Sequence, residues 1–298
     1  MKSMFMNYFK EGKLYQWDEK KETYLISDTN IPGEFCLNKN DMDTLLKFEN
    51  PQVTLGKTLK VQCGNIKSNI KLCNAQLFLP NLEFTHSFKI DIDKIKTASK
   101  FISKSESRPI LTGINISKDY IVATDTFSAY RTACNNDCNI TIASSFVKLL
   151  MNLTGEVEFK CSTNTIACEY DGTMFVGRIL EGQYPDVSII YEDKNFDKTV
   201  KVNKEDLKNF LTYANNKNSF VIFTENKVII NDYCNVSNYN FEMEVDLPIE
   251  EAVGIAFDKL INVINNITED ELVIEYKTAL KPVLFNGEYL ICPVRLEK

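Results

Sequence analysis

The feature that most constrains this chain is a repeat of long period. Three proline-bearing strand ends recur: L-F-L-P-N-L (77–82), G-Q-Y-P-D-V (182–187) and L-I-C-P-V-R (290–295). Their prolines, Pro80, Pro185 and Pro293, lie 105 and 108 residues apart. Proline cannot donate to a sheet ladder, so each marks an edge strand or a point where the chain leaves its sheet. A second register is a strand running into an amphipathic helix: F-C-L-N-K-N-D-M-D-T-L-L-K-F (35–48), T-I-A-S-S-F-V-K-L-L-M-N-L (141–153) and G-I-A-F-D-K-L-I-N-V-I-N-N-I (254–267). Apolar residues three and four apart, as in Phe146, Val147, Leu150 and Met151, predict one buried stripe on each helix. A third register occurs twice, at 88–104 and 200–216, as strand, Asp or Asn cap, then helix. β-rich runs follow every helix.

The unit is therefore strand, helix, strands, twice over, in roughly 105 residues, too long for a small solenoid repeat. The fold class is α+β, with three tandem domains at 1–85, 86–196 and 197–298, each of two β-α-β-β-β halves. The first copy is short. Ile142 lies 54 positions after Phe88 and Ile255 lies 55 after Val200, but Leu37 has only 36 residues before it. The deficit is one strand and one helix. Phe5, Tyr8, Phe9 and Trp17 in that stretch either pack on the shortened domain or dock a neighbour.

Function classes narrow by exclusion. The single histidine, His86, gives little material for general-base or metal chemistry. No phosphate-binding glycine loop, dinucleotide fingerprint or nucleophile elbow is present. The nine cysteines have no C-x-x-C pair and read as free thiols. No catalytic residue, metal ligand or cofactor is assigned, and an enzyme on this scaffold is the weakest reading. No run of eighteen apolar residues suggests a membrane span, and Met1 to Lys10 has no secretory pattern, so a cytoplasmic protein is expected.

The chain is acidic, with a formal charge of −7 and a pI of about 5.1. Its lysines nevertheless recur on the outer faces of the helices. Lys96, Lys100 and Lys104 lie four apart, as do Lys204 and Lys208; Lys39, Lys47, Lys148 and Lys259 sit on the other helices, and Arg108 lies nearby. Collected on one surface, they would bind phosphates without reading sequence.

The motifs resemble one family. R-P-I-L-T-G-I-N-I with I-V-A-T-D-T-F-S-A-Y-R (108–131) resembles the middle domain of the bacterial DNA polymerase III β sliding clamp. G-R-I-L-E-G-Q-Y-P-D-V (177–187) is similar to that domain's last strand and exit, and Y-L-I-C-P-V-R-L to the family's C-terminal tail. The resemblance implies three tandem clamp domains, two chains closed head to tail as a homodimer ring, and helices lining a hole for double-stranded DNA. The ten basic residues named above would face that DNA. It also implies a pocket for short linear motifs of DNA polymerase and clamp loader, walled by Leu111, Thr124, Thr126, Phe127, Ala129, Pro185, Ile189, Ile190, Leu290, Cys292, Pro293, Val294, Arg295 and Leu296. The bacterial or phage-infected cell is the implied setting.

Three departures stand out. Thr126-Phe127-Ser128-Ala129 occupies the place where the family has a small residue and then His-Arg-Leu. Domain one lacks its opening strand and helix. Ring closure in the family uses an apolar pair where this chain has Asn216 and Lys217, and the facing surface would be the strand at Ile70 and Leu72. Two readings stay open: a shortened clamp that encircles DNA, and a clamp-like interaction module, expected as a monomer, that binds clamp partners without encircling it.

Overall fold

A computed structural model describes residues 4–77, 79–192, 196–213, 219–231, 241–245, 247, 249 and 251–296. Its elements follow the repeat. The first copy has three strands, β1 (Met6–Lys10), β2 (Lys13–Trp17) and β3 (Thr23–Asp28). One strand-helix-strands half follows: β4 (Phe35–Asn38), α1 (Lys39–Leu45), β5 (Gln52–Leu55), β6 (Thr58–Cys63) and β7 (Ile66–Lys71). The second copy has two such halves. They are β8 (His86–Asp91), α2 (Ile92–Ala98), β9 (Ile114–Ile116), β10 (Tyr120–Thr124), β11 (Ser128–Ala133), then β12 (Ile140–Ile142), α3 (Ser144–Leu150), β13 (Glu156–Cys161), β14 (Thr165–Tyr170) and β15 (Thr173–Arg178). The third repeats them: β16 (Lys198–Asn203), α4 (Lys204–Leu211), β17 (Phe220–Phe223), β18 (Lys227–Asn231), β19 (Phe241–Glu244), then β20 (Val253–Ala256), α5 (Phe257–Ile264), β21 (Glu271–Tyr276), β22 (Val283–Phe285) and β23 (Tyr289–Ile291). The described residues before β4 hold no helix, matching the deficit read from the spacing.

Contacts gather into two compact units. The first comprises Met1–Lys96, Gly113–Asp119 and Cys134–Gly182; the second comprises Thr97–Thr112, Tyr120–Ala133 and Gln183–Lys298.

In the first unit an antiparallel sheet runs β4-β1-β2-β3-β15-β14-β13-β8, and a second, smaller one runs β5-β6-β7. Alternation along β1 and β2 sends Phe9 and Leu14 to one face, where α1 covers them with Met42 and Leu45, together with Leu59, Val61 and Ile70. Asn38 caps α1 by accepting the Asp41 N–H at 2.9 Å. Trp17, Tyr24 and Ile26 turn to the opposite face, where Leu77, Leu82 and Phe84 of the following linker lie on them. The N-terminal aromatics therefore fill their own shortened copy: Phe9 is 1% exposed and Trp17 3%, while Phe5 remains out at 48%. Gly177 of β15 lets α3 come close, since a Cβ there would meet Phe146 Cγ at 2.2 Å. Met151 falls just past the end of α3 and is 39% exposed, so Leu153 rather than Met151 completes that apolar stripe.

In the second unit six strands run β10-β11-β23-β22-β21-β16, and a separate four-stranded sheet runs β19-β18-β17-β20. Asn203 caps α4 through the Asp206 N–H at 2.9 Å. The helix read from 88–104 is shorter than its pattern. It ends at Ala98, and buried Phe101 lies beyond it. On α4, Leu207, Phe210 and Leu211 are buried as expected, whereas Ala214 lies outside the described residues.

The proline-broken strand at the end of the chain leaves its sheet. β23 pairs with both β11 and β22 and stops at Ile291. The Cys292 N–H still donates to Phe127 O at 2.8 Å, but the Val294 N–H donates to Gly254 O of β20 at 2.8 Å. Pro293, which has no N–H to donate, stands between these two bonds. The tail thus passes from the six-stranded run to the edge of the four-stranded sheet.

Candidate functional site

The residues assigned to a peptide pocket all lie in the second unit, around the β10–β11 hairpin, the segment 184–191 and the tail. The hairpin turn is built by Asp125. One carboxylate oxygen, Oδ1, accepts the Phe127 N–H at 3.0 Å, the Ser128 N–H at 2.7 Å and the Ser128 hydroxyl at 3.0 Å. The other, Oδ2, accepts Lys259 Nζ from α5. Thr126 sits at φ +79°, a left-handed conformation that costs a β-branched residue on the order of 1–3 kcal/mol and persists only where its surroundings fix it. The result is a rigid tip that projects Phe127, 66% exposed.

Burial works to raise the Asp125 carboxyl. The hydrogen bond from Lys259 and those from the Ser128 and Phe127 N–H groups outweigh it, and hold the group below the usual carboxylate range. Both side chains are less than one third exposed, so the pair is only partly screened. Asp125→Asn is expected to cost about 1–3 kcal/mol at pH 7. Because the folded pKa is depressed, this contribution is complete above the unfolded value of about 4. It fades as the pH falls from there through the folded value. Urea midpoints of the two proteins should differ at pH 7 and converge on acidification below pH 4.

The segment after Pro185 is tied to the same hairpin. Tyr184 Oη accepts the Thr124 N–H at 3.0 Å. Val187, Tyr184 and Tyr191 pack with Val122, Ala129, Leu284 and Leu290. The Arg131 guanidinium lies 4.4 Å from the Tyr120 ring and 4.0 Å from the Tyr191 ring, a cation–π sandwich. Tyr191 Oη also donates to Glu288 O at 3.1 Å. Ile189 and Ile190 remain outside, at 59% and 38% exposure.

Of the predicted wall, Thr126, Phe127, Pro185, Ile189, Ile190 and Arg295 are exposed, and Cys292, Pro293, Val294 and Leu296 are half-buried. Thr124, Ala129 and Leu290 form the packed floor, and Leu111, 1% exposed, backs it from inside. Burial raises the Cys292 thiol, with the Asp125 charge adding to it. A groove of about 940 Å³ runs along the tail, lined by Val294, Arg295 and Leu296 and by Glu251, Ala252, Ala279 and Leu280. The last four were not anticipated. Leu280, 67% exposed in the turn K-T-A-L-K-P, was the available signal. Gly254 lets the tail lie flat, since a Cβ there would meet Val294 and Leu296 at 2.8 Å.

The basic residues divide. Lys47, Lys104, Arg108, Lys148 and Lys208 are exposed. Lys39 pairs with Asp43 at 2.7 Å and Lys96 with Asp93 at 3.1 Å, both on the helix surface. Lys100 Nζ donates to Asn266 at 2.6 Å, and Lys204 Nζ to the Ile267 and Thr268 carbonyls at 3.2 Å. Lys259 is committed to Asp125. Of the residues assigned to ring closure, Ile70 is 3% exposed and Leu72 packs beside it in the core under α1; Asn216 and Lys217 lie outside the described residues. Among the described residues no group of three or more His, Cys, Asp or Glu is placed to hold a metal, and no helix is long and apolar enough to cross a membrane.

No family model matches the chain. Beta sliding clamps from two strains of Staphylococcus epidermidis are 22% identical to it over 305 residues, covering 89% of this chain and 79% of theirs. The DNA polymerase III beta subunit of Thermotoga maritima superposes with a TM-score of 0.81 at 17% identity, and the sliding clamp of Bacillus subtilis with 0.82 at 16%; each match covers 98% of this chain and 91% of the other. The Helicobacter pylori beta clamp, solved with a DNA ligase peptide, gives 0.80 at 16%, covering 97% and 91%. The chain carries the fold of the bacterial β sliding clamps and is a distant relative of them in sequence.

Proposed function

We propose that this protein is a sliding clamp, a processivity factor that encircles duplex DNA and tethers a polymerase through a peptide groove. It acts by binding, not by catalysis, in the cytoplasm of a bacterial or phage-infected cell. The observation that carries the reading is the tail. Its N–H groups bond first to the Phe127 carbonyl and then to the Gly254 carbonyl, so that Val294, Arg295 and Leu296 wall a groove completed by Glu251, Ala252, Ala279 and Leu280. Such a groove, apolar with a few fixed polar groups, suits a short peptide motif. The peptide-bound clamp from Helicobacter pylori is consistent with it.

In this reading the domains are 1–85, 86–196 and 197–298. Lys47, Lys104, Arg108, Lys148 and Lys208 supply exposed charge toward DNA, with Lys39, Lys96, Lys100 and Lys204 beside them. The absence of a basic residue in Thr126-Phe127-Ser128-Ala129 shifts the partner motif toward apolar contacts with Phe127. The second reading, a non-encircling module, is favoured by one sequence feature: the polar run Ala214-Asn215-Asn216-Lys217.

The test is topological. After incubation with a bacterial clamp loader and ATP, the protein should co-elute with nicked circular plasmid, leave it when the plasmid is linearised, and leave it faster as salt rises. Equal retention on linear and circular DNA, or none on either, would overturn encirclement.

A further inference from the structure

The second copy of the repeat fills a place that the first leaves open. In the second unit Phe101, just past α2, lies over a cross-strand pair of β11 and β23, with its ring centroid 5.8 Å from that of Tyr130 and 5.7 Å from that of Tyr289. Lys100 beside it is bonded to α5 and its C-terminal end: its Nζ donates to Asn266, and its carbonyl accepts from Asn262 Nδ2 at 3.2 Å.

The matching places in the first unit follow from register. Thr23 and Ser128 each donate a hydroxyl hydrogen bond to the aspartate that opens the preceding turn, Asp18 and Asp125. This aligns β3 with β11 and sets Leu25 in the place of Tyr130. Leu25 opposes Phe175 across β3 and β15, as Tyr130 opposes Tyr289. Ile142-Ala143 and Ile255-Ala256 likewise align α3 with α5, which sets Leu149 and Leu153 in the places of Asn262 and Asn266. The four residues Leu25, Phe175, Leu149 and Leu153 line one groove of about 520 Å³, with Asp28, Asp171 and Lys148 among its other lining residues. Where the second copy offers asparagines to a neighbouring segment of its own chain, the first presents half-buried Leu149 to the groove, with buried Leu153 in its lining.

We propose that this groove takes an amphipathic helix from a partner protein, with an aromatic anchor over Leu25 and Phe175 and basic side chains toward Asp28 and Asp171. The charge argument comes from the same comparison. The residues that fill this place in the second copy are an aromatic and a lysine, Phe101 and Lys100, and the exposed carboxylates of Asp28 and Asp171 in the first-copy groove complement a helix that carries lysines beside such an anchor. The apolar floor selects a helix over duplex DNA, whose phosphates seek cations. This site is separate from the tail groove and does not depend on the clamp reading.

The probe is a fluorescent peptide of residues 92–104 added in trans to the full chain. Saturable anisotropy is expected in the range of tens to hundreds of micromolar, as for a short helix in a shallow groove. Leu149→Glu, at a half-buried position, should weaken it at least tenfold with the circular dichroism spectrum unchanged, and Asp28→Asn/Asp171→Asn should reduce its salt dependence. Truncation after Ile291 should leave it unaltered, which separates this site from the tail groove. No saturation up to about 1 mM, or equal binding by Leu149→Glu, would overturn the proposal. So would a Leu149→Glu chain that loses affinity for a short DNA duplex but not for the peptide.

Discussion

Truncation after Ile291 is expected to abolish capture of polymerase-type clamp-binding peptides while leaving the fold in place. The two consequences separate because of where β23 ends. Tyr289, Leu290 and Ile291 keep their partners on β11 and β22, so the sheet survives the cut. What goes is the Cys292 and Val294 hydrogen bonds and the contact of Val294 and Leu296 with Gly254. Two partly exposed hydrogen bonds cost roughly 1–3 kcal/mol of stability, a modest fall in melting temperature. The groove, by contrast, loses three of its seven lining residues, Val294, Arg295 and Leu296. A peptide anchored there by a few apolar side chains loses the wall that desolvates them, so affinity should fall at least about 100-fold, or roughly 2.7 kcal/mol. Anisotropy titration of a labelled peptide against full-length and truncated chains reads this directly. Unchanged affinity would place the peptide elsewhere and remove the tail from the mechanism.

Much of the architecture was legible because it repeats. Three copies of strand-helix-strands leave three independent chances to see the same pattern, and the shortfall before Leu37 located the missing strand and helix without any structure. Pro293 alone narrowed the tail to an edge strand or a departure from its sheet, since a proline there forbids one specific bond; the Val294 bond to Gly254 decides for departure. The site was less legible. Lys259 reads as one more exposed helix lysine, yet it pairs with Asp125 from 134 positions away; no local pattern encodes that. Ile70 and Leu72 were placed at a ring interface by position along a strand. Facing alternates residue by residue, and the register sends Ile70 to its own core. The 92–104 stripe continues to Phe101, but α2 ends at Ala98 and Phe101 reaches Tyr130 from beyond the helix end.

Ring closure, if this protein closes, should depend on charge carried by two exposed strands. β7 is an outer strand of its sheet in the first unit, and β19 is an outer strand of its sheet in the second. Among the described residues both stand at the end of their sheets, and sheet edges can recruit another chain. Their side chains differ in sign. Along β7 the exposed positions include Lys67 and Lys71; along β19 they are Glu242 and Glu244, the former also bonded to Lys227 at 2.8 Å. Two β7 edges would set lysines against lysines and two β19 edges glutamates against glutamates, so of the pairings between these two edges the favourable one joins β7 of one chain to β19 of another. That is the head-to-tail arrangement a two-subunit ring requires. Reversing the sign on one edge turns opposed attractive pairs into repulsive ones, worth roughly 2 kcal/mol for the two pairs at each interface, or about 30-fold per interface in dissociation constant. Glu242→Lys/Glu244→Lys should therefore shift light-scattering mass from twice 34.2 kDa toward the single chain at micromolar concentration, more sharply at low salt. Mixing it with Lys67→Glu/Lys71→Glu should then restore both interfaces in the mixed dimer, and combining all four changes in one chain should restore both in a dimer of identical chains. A wild-type chain that stays at 34.2 kDa throughout a concentration series would rule out self-closure and leave the non-encircling reading, in which these same edges are free for other strands.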